Sequence, residues 1–103
     1  MTANTLNGQS ANINGKIKTK EVEVTLQNWP DFVFEEEYKL LPLVEIEQYI
    51  KQNGHLPDIP SATEVEENGI ELGSMQAKLL KKIEELTLYI LDLQNQINEL
   101  KTK

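Results

Sequence analysis

A chain of 103 residues with a net charge of −7, no Cys, no Arg and a single His excludes several classes of protein at once. Disulfides and thiolate metal sites are impossible, a histidine-based zinc site needs more than His55, and a phosphate-binding surface needs clustered cations that this acidic chain lacks. With 39% hydrophobic residues and 6% aromatics, one copy buries a thin core, so partner subunits are the remaining source of extra stability.

The charge is unevenly spread. Residues 1–20 carry Lys16, Lys18 and Lys20 and no acid, whereas residues 21–71 carry 13 acids against Lys39 and Lys51. Nucleic acid and anionic membrane are therefore poor partners. No apolar run reaches the roughly 18 residues that a membrane-spanning helix needs. The opening Met1-Thr2-Ala3-Asn4 lacks the charged and apolar regions of a signal peptide and reads like an internal point of a longer protein.

Residues 1–15 are small and polar, with Asn7-Gly8 and Asn14-Gly15 as turn-type dipeptides. Their spacing fits short strands wound between turns in a fibre, or a floppy end. Residues 16–26, KIKTKEVEVTL, alternate like a strand, with Val22, Val24 and Leu26 on one face and Ile17 out of phase. A lone strand does not stand, so this one requires a partner from elsewhere.

Residues 28–40 hold Trp29, Phe32, Phe34 and Tyr38 around Pro30, which blocks a regular helix. The expectation is an irregular aromatic elbow that plugs a core, because large aromatics dominate core energetics. An exposed platform for stacking on a sugar is the alternative. Glu35, Glu36 and Glu37 lack the loop spacing of a calcium site and are expected to form a solvated face.

A short helix is expected over 42–53. Pro42 suits a first turn, Leu43, Ile46, Tyr49 and Ile50 share one stripe, and Asn53-Gly54 provides a left-handed end. His55-Leu56-Pro57-Asp58-Ile59-Pro60 cannot continue it, since residues before proline are pushed extended. Ser61 and Glu64 form a capping box that opens a brief helix closed by Asn68-Gly69. Ile70 and Leu72 are expected to be extended.

The strongest signal lies in residues 75–102. Leu72, Leu79, Leu86, Leu93 and Leu100 recur every seven residues, as do Ile83, Ile90 and Ile97. With the leucines at d and the isoleucines at a, the seam runs unbroken through Leu79, Ile83, Leu86, Ile90, Leu93, Ile97 and Leu100. This pattern predicts a coiled coil. A 3.5-residue period would have no use inside a small monomer, so the coil predicts self-association. Ile at a with Leu at d favours two strands. Leu80, Thr87, Leu88, Tyr89 and Leu91 widen the apolar face, which suits three strands, or a coil with one side packed on the rest of the chain.

No catalytic constellation emerges. His55, flanked by prolines and apolar residues, reads as a loop histidine satisfied by a backbone carbonyl. The five glycines follow turn or cap signals and form no phosphate loop. No pair of carboxylates has an acid–base geometry. The chain is expected to be non-enzymatic, with no catalytic residue, cofactor or metal site.

The ordered segments WPDFVF, YKLLPLVEIEQYI, NGHLPDIPSATEV, NGIELGSM and KLLKKIEELTLYI span about residues 20–92. This run resembles the C-terminal module of tail-fibre proteins from phages, phage-like elements and large surface proteins of Bacteroidetes-type bacteria. More distantly, it is similar to the self-cleaving intramolecular-chaperone domains that end phage tailspikes and endosialidases. The Ser–Lys pair that releases those chaperones has no placeable counterpart here.

The resemblance implies a homotrimer that registers and caps the fibre upstream in the same chain, with a dimer as runner-up. It implies an extracellular setting on a particle tail or bacterial surface, where a host receptor is a further partner. The combined expectation is an α+β architecture: a β-strand fibre stub over 1–27, a small globular part over 28–73, and a parallel coiled-coil helix over 74–103. A receptor- or glycan-binding fibre tip and a cytosolic coiled-coil adaptor are the competing functions.

Overall fold

The computed structural model describes residues 4–27 and 29–102. Three helices form in chain order: α1 over Leu43–Asn53, α2 over Ala62–Asn68 and α3 over Leu72–Lys101. The molecule is elongated, 73 × 30 × 24 Å, because α3 alone is about 45 Å long at roughly 1.5 Å per residue.

The two short helices are defined by their ends. At the start of α1 the Pro42 carbonyl accepts from the amides of Glu45 and Ile46 at 3.0 and 3.2 Å. Gly54 closes the helix at φ 76°, donating its amide to the Ile50 carbonyl at 2.8 Å, a left-handed end that suits a residue without Cβ. In α2 both arms of the capping box form: Ser61 Oγ accepts from the Glu64 amide, and the Glu64 carboxylate accepts from the Ser61 amide, each at 3.2 Å. That backbone hydrogen bond holds the Glu64 carboxyl below the usual carboxylate range. A helix of seven residues is marginal alone, so these local bonds account for much of its persistence.

The N-terminal part departs from expectation. Among the described residues there is no strand, so the architecture is helical rather than α+β, and the β-strand fibre stub expected over 1–27 does not form over residues 4–27, residues 1–3 lying outside the described residues. Alternation in 16–26 specifies which side chains share a face, but only a paired neighbour supplies the ladder of backbone hydrogen bonds. Instead, Val24 and Leu26 cross the first turn of α3 at Gly73. A Cβ built on Gly73 would lie 2.5 Å from Leu26 Cδ2 and 2.7 Å from Val24 Cγ1, so glycine permits this close crossing. Leu72, expected to be extended, already belongs to α3.

The aromatic elbow also differs. Two successive turns, Glu35 N–H to the Phe32 carbonyl at 3.2 Å and Tyr38 N–H to the Glu35 carbonyl at 3.1 Å, fold residues 32–38. Val33 is turned inward and is only 1% exposed, with Pro30 and Gly73 also buried. Trp29 and Phe34 are 50% and 61% exposed, Phe32 is exposed as well, and Tyr38 alone of the four is half-buried. Within one chain the elbow is therefore an open aromatic surface around a buried valine, and the four aromatics do not plug a core.

Candidate oligomerisation face on α3

Helix α3 presents two different sides. At about 3.6 residues per turn, Lys81, Glu85 and Leu88 lie opposite Leu79, Ile83, Leu86 and Ile90. The first side is covered by the chain itself. Tyr38 Oη donates to Glu85 Oε2 at 2.5 Å, and Lys82 Nζ pairs with the other Glu85 oxygen at 3.1 Å. The Asp58 carboxylate receives Lys81 at 3.4 Å and Lys82 at 3.7 Å. Lys81 Nζ also stands 5.8 Å from the centre of the Phe32 ring, which tilts against Tyr38 at 5.6 Å. Nearer the C-terminus, Tyr89 Oη donates to the Leu41 carbonyl at 2.6 Å.

These contacts perturb two phenols. Burial, reinforced by the hydrogen bond to the Glu85 carboxylate and its charge, pushes the Tyr38 phenol far above its ordinary value. Burial and the same carboxylate also push Tyr89 upward.

Asp58 reaches its lysines because of its backbone. The Ile59 amide donates to the Leu56 carbonyl at 3.3 Å, closing a turn with Pro57 second and Asp58 third. Asp58 has φ 68°, matching the left-handed third position of a type II turn. Pro57-Asp58 is legible as a turn signal, but its ion pairs with a helix more than twenty residues away are not. The His55 and Tyr49 rings stand nearly perpendicular with their centres 5.6 Å apart, and His55 Nδ1 lies 2.9 Å from the Leu56 carbonyl oxygen.

The opposite side of α3 is uncovered. Leu79, Ile83, Leu86, Ile90, Leu93, Ile97 and Leu100 are each 46–67% exposed, forming a stripe about 30 Å long. Isolated exposed leucines are ordinary, whereas an unbroken apolar stripe is uncommon on a free surface. Leu80, Leu88 and Tyr89 do not widen this stripe, because they are half-buried on the covered side. Thr87 and Leu91 remain exposed.

A small groove of about 100 Å³ opens between α1 and α3, walled by Leu43, Ile46, Leu56, Pro57, Leu86 and Tyr89, with Lys82 and Glu85 completing the lining. No cluster of three metal-ligating side chains occurs among the described residues, and no described helix is long and apolar enough to cross a membrane. Comparison with family models, with curated proteins and with solved structures finds no match to this chain.

Proposed function

We propose that this chain is a self-association module in which α3 helices from separate copies pack in parallel along Leu79 to Leu100, holding in register a fibre protein of which the module forms the end. The observation that carries this reading is the division of α3. One side is occupied by the chain's own Tyr38, Leu41 and Asp58, while the other keeps its heptad of isoleucine and leucine exposed. A seven-residue period matches another helix of the same period better than a flat or irregular partner. Parallel chains in register raise the local concentration of whatever each carries.

The number of copies has two supports that differ. The seam left free has Ile at a and Leu at d, the combination that favours two strands. The resemblance to tail-fibre and chaperone modules implies three. Light scattering on the purified chain tests both: a mass of two or three times 11.8 kDa supports self-association and gives its number. A mass of 11.8 kDa at micromolar concentration would refute it.

A second reading, a fibre tip that grips a host glycan or surface protein, is favoured by the exposure of Trp29 and Phe34. Aromatic faces suit sugar stacking only if they remain open in the assembly.

A further inference from the structure

The groove between α1 and α3 shares one wall, Leu86, with the heptad seam. Any helix that covers the seam therefore passes the mouth of the groove. From this continuity we propose that the occupant of the groove is a second copy of the chain, and that the side chain entering it is Thr87 of the neighbouring α3. The proposal rests on the parallel coil proposed above and extends that interface onto α1 and the Leu56-Pro57 turn.

Three observations carry it. In a parallel coil each d knob sits in a hole of four residues on the facing helix, and positions e and g flank the seam. Leu86 occupies d, Lys82 and Tyr89 occupy g on the groove side, and Thr87 occupies e, the position that a neighbouring helix brings against d and g. Next, the space of about 100 Å³ suits one aliphatic group, and its walls are mainly apolar side chains. Finally, Thr87 Oγ1 already donates to the Ile83 carbonyl of its own helix at 2.9 Å. Its hydroxyl is thereby satisfied, and its methyl can enter an apolar groove without leaving a polar group unpaired.

The absence of Cys permits a clean test. Thr87→Cys chains are co-refolded with Leu43→Cys chains and treated with a short bismaleimide. Gln52→Cys, on the opposite side of α1, replaces Leu43→Cys as the control, and each variant is first checked for unchanged mass and helicity. The expected result is a cross-linked Thr87–Leu43 pair formed several-fold faster than the Thr87–Gln52 pair. Equal rates, with Ile90→Cys chains still cross-linking to one another, would overturn the groove proposal and leave the coil standing. A Leu6→Cys chain cross-linking to Leu43→Cys in preference to Thr87→Cys would assign the groove to the N-terminal segment and overturn it too. Failure of Ile90→Cys chains to cross-link, with a mass of one chain, would overturn the coil and the groove together.

Discussion

Single residues fasten the middle of the chain to α3. Asp58 combines a left-handed backbone with two lysine contacts, and substitutions separate these contributions. Asp58→Gly loses the ion pairs but relaxes the backbone, whereas Asp58→Ala loses the ion pairs and keeps the strained φ. Exposed ion pairs are worth about 0–1 kcal/mol, and a left-handed Ala costs about 1–2 kcal/mol. Chemical denaturation is expected to place Ala below Gly by about 1 kcal/mol; equal stabilities would show that the turn relaxes without its left-handed residue.

Tyr38 gives a pH dependence. A phenol whose pKa is raised on folding contributes stability fully below its unfolded pKa of about 10, and the contribution is lost as pH rises through the folded value. Alkaline titration followed at the phenolate band should therefore place two tyrosines above free tyrosine. Stability should fall as pH climbs above about 10, less steeply in Tyr38→Phe. An identical slope in that variant would separate Tyr38 from the transition.

At the scale of elements, α3 is a helix with one side covered by the chain itself and the other left exposed. Ile90→Asp should abolish association while leaving the single-chain fold intact, because each copy would carry an unpaired charge into the seam, at several kcal/mol per ion. Leu88→Asp should do the reverse first, loosening the packing of the chain's own segments, and its effect should persist at dilutions where no oligomer remains. Light scattering and circular dichroism on the pair test this division; parallel losses of mass and helicity in both variants would show that the two sides are not independent.

The helices were legible for local reasons. Gly54 and the Ser61–Glu64 box act within one turn, and a seven-residue repeat needs no knowledge of its partner. The strand over 16–26 was not, since alternation defines a face and not the existence of a second strand. Nor was Val33: between Phe32 and Phe34 it looks like the least of three apolar residues, yet the tight turns send it inward and leave the rings outside. The two-sidedness of α3 was only half legible, because Leu80, Leu88 and Tyr89 read equally well as a wider seam or as an inner face.

For the molecule as a whole, the open question is whether assembly closes the aromatic surface. If copies bury Trp29, its fluorescence in the oligomer should be blue-shifted and shielded from iodide, and Trp29→Ala should cost about 3–5 kcal/mol per chain, the range for removing a buried large aromatic. Full quenching in the oligomer, with an unchanged melting temperature in Trp29→Ala, would favour the glycan- or receptor-binding reading. The 13 acids between residues 21 and 71 face the same issue. Copies packed on α3 bring these charges closer together, so association should strengthen with added salt until screening is complete.

Val33 has one more consequence. Among the described residues Val33 is the one apolar side chain hidden almost completely, so a single chain has little burial to lose by opening and more to gain by meeting a copy of itself. If copies associate as proposed, stability becomes a matter of dose: the chain should melt at a lower temperature on dilution, its melting temperature climbing with the logarithm of concentration. Such a module would report crowding of its own kind, setting firmly where copies are held together and slackening where one is left alone.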